Sequence, residues 1–347
     1  MSGAAAGRVC AVIVHHRGRR LLGRCLESLL ASEGVELDVV VVANACREEL
    51  PEIVEVSPRV HPVVSGRSLG FSAANNLGAG WGREHLGERD YLFFVNNDTI
   101  VEPATLSRLV AALRAEGGRA IAGPRLMIWG ADGVLNSLGL NLTRTGEAWD
   151  EGIGRPLSEY EPLAAARSVL AVTGAALMID AGVFARLGGW EDLYAFYFED
   201  LDLCLRARSH GLDVVLAADA VMSHAISATA VRGSDLKRQL TWRNRFLLMA
   251  IHWPWRLLLT AGARTAASEL RLAWRRARAR AWADLRLQVR SWLGAVRRLP
   301  AAWRSRRRLG PERGWTTFLA PHRSVPVIRL PELPDDARID EAPAPSG

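Results

Sequence analysis

Between Trp190 and Gly211 the chain gathers its densest set of groups able to move a proton. Glu199, Asp200 and Asp202 crowd into one turn behind the aromatic run Tyr194 to Phe198. A carboxylate walled by aromatics is partly desolvated, which raises its proton affinity and suits it to work as a general base. The same three acids also fit the plain start of a helix, where the dipole and free N–H groups favour negative charge. Two further groups stand where ligands meet α/β sheets. Asp98 lies in the sequence Asn96, Asn97, Asp98, Thr99, just after the most hydrophobic stretch, residues 91–95. A lone carboxylate flanked by amides suits a hard divalent ion that takes its other oxygens from water and a diphosphate. It equally suits a turn before a helix starting near Pro103. His224 is predicted a short loop beyond the last strand; taken alone, such a histidine is more often a core or surface residue than a ligand.

The elements that must position these groups follow from apolar patterning. Residues 9–14 form a continuous apolar run that suits a buried parallel strand. A helical pattern follows over residues 21–30, closing at Gly34, and then a second buried strand over 37–42. Strand, helix and strand at this spacing make one right-handed crossover unit. A third strand is predicted over 60–64, and residues 65–78 read as a loop feeding a helix, with Gly70 and Gly78 as packing glycines. No GxGxxG follows the first strand, so the dinucleotide fingerprint is missing. The spacing predicts a helix over 104–115, short strands at 121–124 and 126–129, and a long excursion or lid over 136–160. Residues 168–172 and 173–179 return to the sheet, 181–187 form a brief helix, and 212–216 the last strand. The acidic segment itself reads as a helix ending at Gly211, with Leu201, Cys204 and Leu205 on one anchoring face.

With 347 residues, 49% of them hydrophobic and 23% charged, the chain can bury one large core or one core plus an appendage. The net charge of +7 arises from arginines concentrated in the last third, which points to an anionic partner there. Cys10, Cys25, Cys46 and Cys204 form no metal-type pair and read as small core residues of a reducing compartment. The short apolar run near the N-terminus precedes its basic residues, the reverse of a signal peptide, and no stretch reaches the length of a membrane span.

The order of motifs resembles the family 2 inverting glycosyltransferases, with the rhamnosyltransferase-like bacterial branch nearest. The matching pieces are VIVHHRGRRLLGRCLESLLAS, VVVVANA, GRSLGFSAANNLGAG, FFVNNDTIVEP, VTGAALMI, and GGWEDLYAFYFEDLDLCLRARSHG with the later His224; they span roughly residues 8–230. The resemblance implies an α/β chain with the GT-A nucleotide-sugar-binding fold, a mostly parallel central sheet with flanking helices, followed by a C-terminal helical region. It places a catalytic domain over residues 1–230, with a nucleotide-sugar half at about 8–118 and an acceptor half at about 119–230. Asp98 and His224 are then the protein contacts of Mg²⁺ or Mn²⁺ against the donor diphosphate. Asp200 is the base, and Glu199 binds or orients the acceptor. Arg67, Ser68 and Asn75 lie along the nucleotide, while His15, Asn44, Asn97, Gly174 and Trp190 complete the substrate-binding set. Two departures stand out. Ala43 occupies the place where the family usually carries an Asp that meets the nucleobase or ribose, and His15, His16 and Arg17 replace the usual exit of the first strand.

Residues 231–325 change texture to helices rich in Arg, Leu, Ala and Trp. Basic faces with Trp and Leu opposite are the mark of helices lying in a membrane interface, as a cytoplasmic transferase working at the inner face of the membrane on a lipid-linked or glycan acceptor would need. A helical hairpin packed on the catalytic domain or on a second copy of the chain fits too, and nucleic acid is the less favoured partner. Residues 326–347 are rich in Pro and acids and read as a disordered tail. Two other functions remain open on these residues: a sugar-nucleotide nucleotidyltransferase on a similar sheet, and a non-catalytic module keeping the fold, for which Ala43 is the best argument.

Overall fold

The structure is a computed structural model that describes residues 7–46, 57–226, 234–309, 314–320 and 331. The predicted tail therefore lies almost wholly outside the described residues.

The apolar runs form the strands that patterning predicts. Strands β1 (Gly7–His15), β2 (Val35–Asn44), β3 (Val60–Ser65) and β4 (Tyr91–Asn96) lie parallel in the order β4-β1-β2-β3. β1 shows why both faces are covered. Val9, Ala11 and Ile13 enter one core with helices α1 (Arg19–Leu30) and α3 (Thr105–Ala115), while Cys10 and Val12 enter the other, beneath α2 (Phe71–His85). A strand buried on both sides has no reason to alternate, hence its unbroken apolar run. Gly78 lets α2 approach the sheet: a Cβ there would stand 2.5 Å from Val12 Cγ1. The packing role expected of Gly78 is thus seen in the contact itself.

β5 (Thr99–Val101) is short, and the second half of the sheet is more irregular than predicted. Residues 121–129 give one strand, β6 (Ala120–Ile128), in place of two, with β7 (Leu135–Ser137) beside it. Within the predicted excursion, β8 (Leu140–Leu142) and β9 (Ala148–Asp150) make a separate hairpin. The strand predicted over 168–172 is displaced: β10 (Ala166–Ser168) pairs with the last strand and shares only Ser168 with the predicted range, and β11 (Ala176–Asp180) enters antiparallel between β4 and β6. Helices α4 (Ala181–Leu187) and α5 (Glu199–Ser209) follow, then β12 (Asp213–His224), much longer than the predicted 212–216 because a bulge between Ala217 and Val221 lets it follow β6 to its end. His224 accordingly ends a strand rather than following a loop. α5 is buried on nearly every side, where one apolar face was expected; the helices that follow close over it.

Those helices are α6 (Asp235–His252), α7 (Trp255–Arg278) and α8 (Trp282–Arg306). α6 runs along α8 and touches α5, and Trp253 packs edge-on against Trp315 at 5.4 Å between ring centres. No helix among the described residues is long and apolar enough to cross a membrane.

Candidate active site

The site forms where the carboxyl ends of the parallel strands meet the start of the antiparallel one, the usual ligand-binding edge of an open α/β sheet. Asn96, the last residue of β4, donates its N–H to the Ala175 carbonyl at 3.0 Å. The preceding residue, Gly174, donates its N–H to Asp200 Oδ2 at 3.0 Å. Two hydrogen bonds, one backbone to backbone and one from backbone to the Asp200 carboxylate, thus link the segment bearing Asp98 to the segment bearing Asp200, although 102 positions separate the two acids.

At the first end of this cleft Asp98 is 1% exposed, and its backbone carbonyl accepts Ala225 N–H at 2.9 Å. His224 Nε2 stands 3.2 Å from Asp98 Oδ1, near enough for an ion pair, yet that oxygen has no aligned hydrogen-bond donor among the described residues. On the far side of the ring Nδ1 meets Asn136 Oδ1 at 2.7 Å, so Nδ1 carries a proton and Nε2 turns to the carboxylate. Burial opposes a charge on the ring, but Asp98, and behind it Asp150, hold the imidazole above its ordinary pKa. The two facing groups call for shared positive charge between them: a proton on Nε2, or a cation held by both. Among the described residues no third His, Cys, Asp or Glu joins them. A divalent ion would therefore take its remaining oxygens from substrate and water, the habit of a hard cation on a diphosphate. The donor set fits such an ion.

At the other end the aromatic run is not helical. Ala195, Tyr197 and Phe198 have φ of 64°, 67° and 76°, a left-handed conformation costly for residues with a Cβ. Three carbonyls of this loop, those of Tyr194, Phe196 and Tyr197, lie 3.1, 2.7 and 2.8 Å from Asn244 Nδ2, and Arg243 donates to the Tyr194 carbonyl as well at 2.5 Å. Helix α6 thus holds the loop in its strained form. The loop delivers Glu199 and Asp200 to the cleft with different surroundings. Burial raises the Asp200 carboxyl above its usual range, against the pull of the Gly174 and Leu201 N–H groups. Glu199 is raised further, by burial and then by the charge of Asp200, and its Oε2 is buried with no partner among the described residues. Burial therefore outweighs the helix terminus at Asp200, whereas the expected like-charge repulsion falls on Glu199. Asp202 is different in kind. Burial alone would raise it, but Arg206 at 2.7 Å and His252 at 2.8 Å bring it down to about 2. It is a structural acid that ties α5 to α6.

The remaining predicted residues divide. Asn97 Nδ2 bridges His15 Nδ1 and the Arg17 carbonyl, both at 2.9 Å, which joins the ends of β1 and β4 beside Asp98. Asn44 clasps Leu69 through paired bonds of 2.9 and 2.7 Å, fixing the loop that leaves Arg67 and Ser68 exposed. Gly70 closes that loop onto the acidic one, since a Cβ there would meet the Ala195 backbone at 2.9 Å. Two residues are not brought to the cleft. Asn75 is buried and bonds the Phe71 carbonyl of its own helix at 3.0 Å, and Trp190 is enclosed by Phe71, Phe94 and Phe184. Ala43 is fully buried in β2. Sequence reasoning missed Asn136, Asp150 and Asn244. Only Asn244 left a trace, being an amide inside a helix, where asparagine competes poorly unless its side chain has a task.

The sheet, with a carboxylate–histidine pair and a buried acid gathered at its carboxyl edge, defines an open α/β protein of the kind that binds ligands at that edge. Residues 6–245 match the family described as Glycosyltransferase like family 2, and the chain belongs to it. Among curated relatives, it is 29% identical over 245 residues to O-antigen biosynthesis protein RfbC of Myxococcus xanthus, a match covering 68% of this chain and 18% of that protein. It is 24% identical over 217 residues to the low-salt glycan biosynthesis hexosyltransferase Agl10 of Haloferax volcanii, covering 60% and 66%. The matches thus span less than two thirds of these relatives' lengths. Among solved structures, GalNAc-T7 with UDP, GalNAc and Mn²⁺ superposes with a TM-score of 0.57 at 14% identity, covering 72% of this chain and 49% of that one. This likeness is one of fold, the GT-A fold that the motifs imply.

Proposed function

We propose that the protein is a metal-dependent inverting glycosyltransferase that moves a sugar from a nucleotide-diphosphate donor to a hydroxyl of a glycan or lipid-linked acceptor. The observation that supports the reading is the pair of hydrogen bonds, Asn96 N–H to the Ala175 carbonyl and Gly174 N–H to Asp200 Oδ2, that ties the segment bearing Asp98 to the one bearing Asp200. Inverting transfer is an in-line displacement, so the leaving diphosphate and the incoming hydroxyl must lie on opposite sides of the anomeric carbon. Asp98 and His224 would hold Mg²⁺ or Mn²⁺, which when bound supplies positive charge to the leaving diphosphate. Asp200 takes the proton of the acceptor hydroxyl as that oxygen bonds to the anomeric carbon and the diphosphate departs. Its raised pKa makes it a stronger base than an exposed carboxylate. Glu199, which burial and the charge of Asp200 push up, would bind or orient the acceptor beside it. The names of the relatives, which speak of O-antigen and glycan biosynthesis, favour a cell-envelope glycan as product.

The test is release of nucleoside diphosphate from UDP-, GDP- and dTDP-sugars, rhamnose among them, with isolated lipid-linked glycans as acceptors. Release that requires both acceptor and Mn²⁺ or Mg²⁺ supports the reading. Release of pyrophosphate would mark a nucleotidyltransferase, and binding without turnover a non-catalytic module.

We further propose a place at the inner face of the cell membrane, and the last two helices support it. On α7, Trp255, Leu259, Leu270 and Trp274 are exposed, and their spacing puts them within one side of the helix. On α8, Trp282, Leu293, Val296 and Trp303 do the same, and Trp303 stacks on Trp255 at 5.3 Å. Arginines flank these stripes; Arg306 lies over Trp255 at 4.8 Å and Arg278 over Trp274 at 4.8 Å. Apolar stripes edged with fixed positive charge match an anionic lipid surface. Flotation with phosphatidylglycerol vesicles, lost at high salt and with phosphatidylcholine alone, is the expected result; a protein that stays at the bottom with both lipids refutes it.

A further inference from the structure

The β8–β9 hairpin carries an acid with no part in the chemistry described so far. Asp150 pairs with Leu140 across the hairpin, and directly opposed residues of antiparallel strands share a face. Leu140, Leu142 and Ala148 on that face pack on the core, so Asp150 faces inward with them. The hairpin is pinned at both ends of the cleft. Leu140 N–H bonds the Ala171 carbonyl at 2.8 Å, three residues before the Gly174 that holds Asp200. Leu138 N–H bonds the Glu151 carbonyl at 2.9 Å, and the Ser137 side chain hydrogen-bonds the Asp150 carboxyl, one residue beyond Asn136, the partner of His224. Asp150 Oδ1 is closed off from solvent, yet it has no hydrogen-bond partner among the described residues.

The electrostatics agree with this placement. Burial raises the carboxyl to about 6; the Ser137 side chain lowers it, Asp200 raises it and His224 lowers it. Asp150 therefore feels both ends of the cleft and is mostly ionised at neutral pH, when a carboxylate can only accept hydrogen bonds. In an in-line transfer, the group lying between the diphosphate end and the base is the sugar being moved. A sugar ring presents hydroxyl donors along its edge. From the register of the hairpin and the unpartnered oxygen, we infer that Asp150 accepts hydrogen bonds from hydroxyls of the transferred sugar and selects the donor by them. This inference rests on the transferase reading above. A buried polar group built to receive a hydroxyl strongly rejects a substrate that lacks it.

Calorimetry in the presence of Mn²⁺ separates sugar from nucleotide. UDP, GDP and dTDP are titrated beside UDP-glucose, UDP-galactose, GDP-mannose and dTDP-rhamnose, into the wild-type protein and into Asp150→Asn and Asp150→Ser. Both substitutions remove a buried charge raised to about 6 by burial and keep a polar group for Ser137, so the melting temperature should hold or rise. For the donor that the wild type binds, the ratio of sugar-nucleotide Kd to nucleoside-diphosphate Kd should rise about tenfold or more in the variants, as expected when a buried hydrogen bond to a charged group is lost. The diphosphate Kd itself should stay within about twofold, since the two ends of the ligand act independently. Glu151→Gln, whose side chain pairs with Arg167 instead, should leave the ratio unchanged. An unchanged ratio in the Asp150 variants, or equal loss for diphosphate and sugar nucleotide, overturns the inference while leaving the transferase reading in place. A wild-type protein that binds no nucleotide at all overturns both.

Discussion

One backbone N–H, that of Gly174, holds the Oδ2 of Asp200 at 3.0 Å, while the next residue, Ala175, accepts from Asn96 at the end of β4. The proposed base is thereby registered against the sheet as well as against its own helix, whose Leu201 N–H donates to Oδ1 at 2.8 Å. The aromatic loop supplies the other constraint, with three residues at positive φ and its carbonyls gathered by Asn244.

Replacing Asp200 by Asn should lower kcat by about a thousandfold, the scale of a lost general base. Folding should not suffer. The folded-state pKa of Asp200 is raised, so the stability it contributes is full below its unfolded pKa and declines as pH rises through the higher folded value. The melting temperature of the Asn variant relative to wild type should therefore improve as pH rises above the ordinary carboxylate value of about 4. The acid limb of the wild-type rate profile should sit above the usual carboxylate range for the same reason. A variant that keeps its rate within a few-fold would refute the assignment.

Asp202 should behave in the opposite way. Its pKa falls to about 2 through Arg206 and His252, so its contribution is present above the unfolded pKa and disappears as pH drops through the folded one. Asp202→Asn leaves Arg206 and His252 buried without their carboxylate and should cost about 3 kcal/mol near neutral pH. Thermal unfolding at pH 7 and at pH 2.5 checks this: the difference between variant and wild type should shrink at the lower pH.

Asp98→Ala should abolish acceptor-dependent release of nucleoside diphosphate and, independently, weaken Mn²⁺ binding measured by electron paramagnetic resonance with the diphosphate present. EDTA should silence the wild-type protein, and added Mn²⁺ or Mg²⁺ should restore it. Wild-type Mn²⁺ affinity in the variant would remove Asp98 from the proposed site.

Asn244→Ala should act on the chemical step from a distance. It leaves the part-buried Phe196 and Tyr197 carbonyls without this donor, while Arg243 still holds that of Tyr194, and frees a strained loop, a loss of up to about 1–3 kcal/mol per orphaned group. The readout is a split: kcat falls about tenfold or more as Asp200 leaves its working position, while the Kd for nucleoside diphosphate, bound at the other end of the cleft, is unaltered. A loss confined to melting temperature would reduce Asn244 to a packing role.

The primary structure determined a good deal of this molecule. Continuous apolar runs at residues 9–14, 37–42 and 91–95 could be satisfied only by strands buried on both faces, and the turn after each run marked the binding edge of the sheet. Asp98, Asp200 and His224 stood out because they follow or precede such elements within a few residues. What only the tertiary structure decided is everything that depends on contacts between distant segments. Asp202 looked equivalent to Asp200 until Arg206 and His252 closed on it. Trp190 and Asn75 matched motif positions, yet packing drew both inward. Asp150 carries no local pattern and Asn244 only that of an amide inside a helix, because an unpartnered oxygen and a triple carbonyl clasp exist only once the β8–β9 hairpin and helix α6 have been packed into place. Periodicity reports which face of an element is apolar; the charge and hydrogen-bonding state of a buried group is set by its neighbours in space.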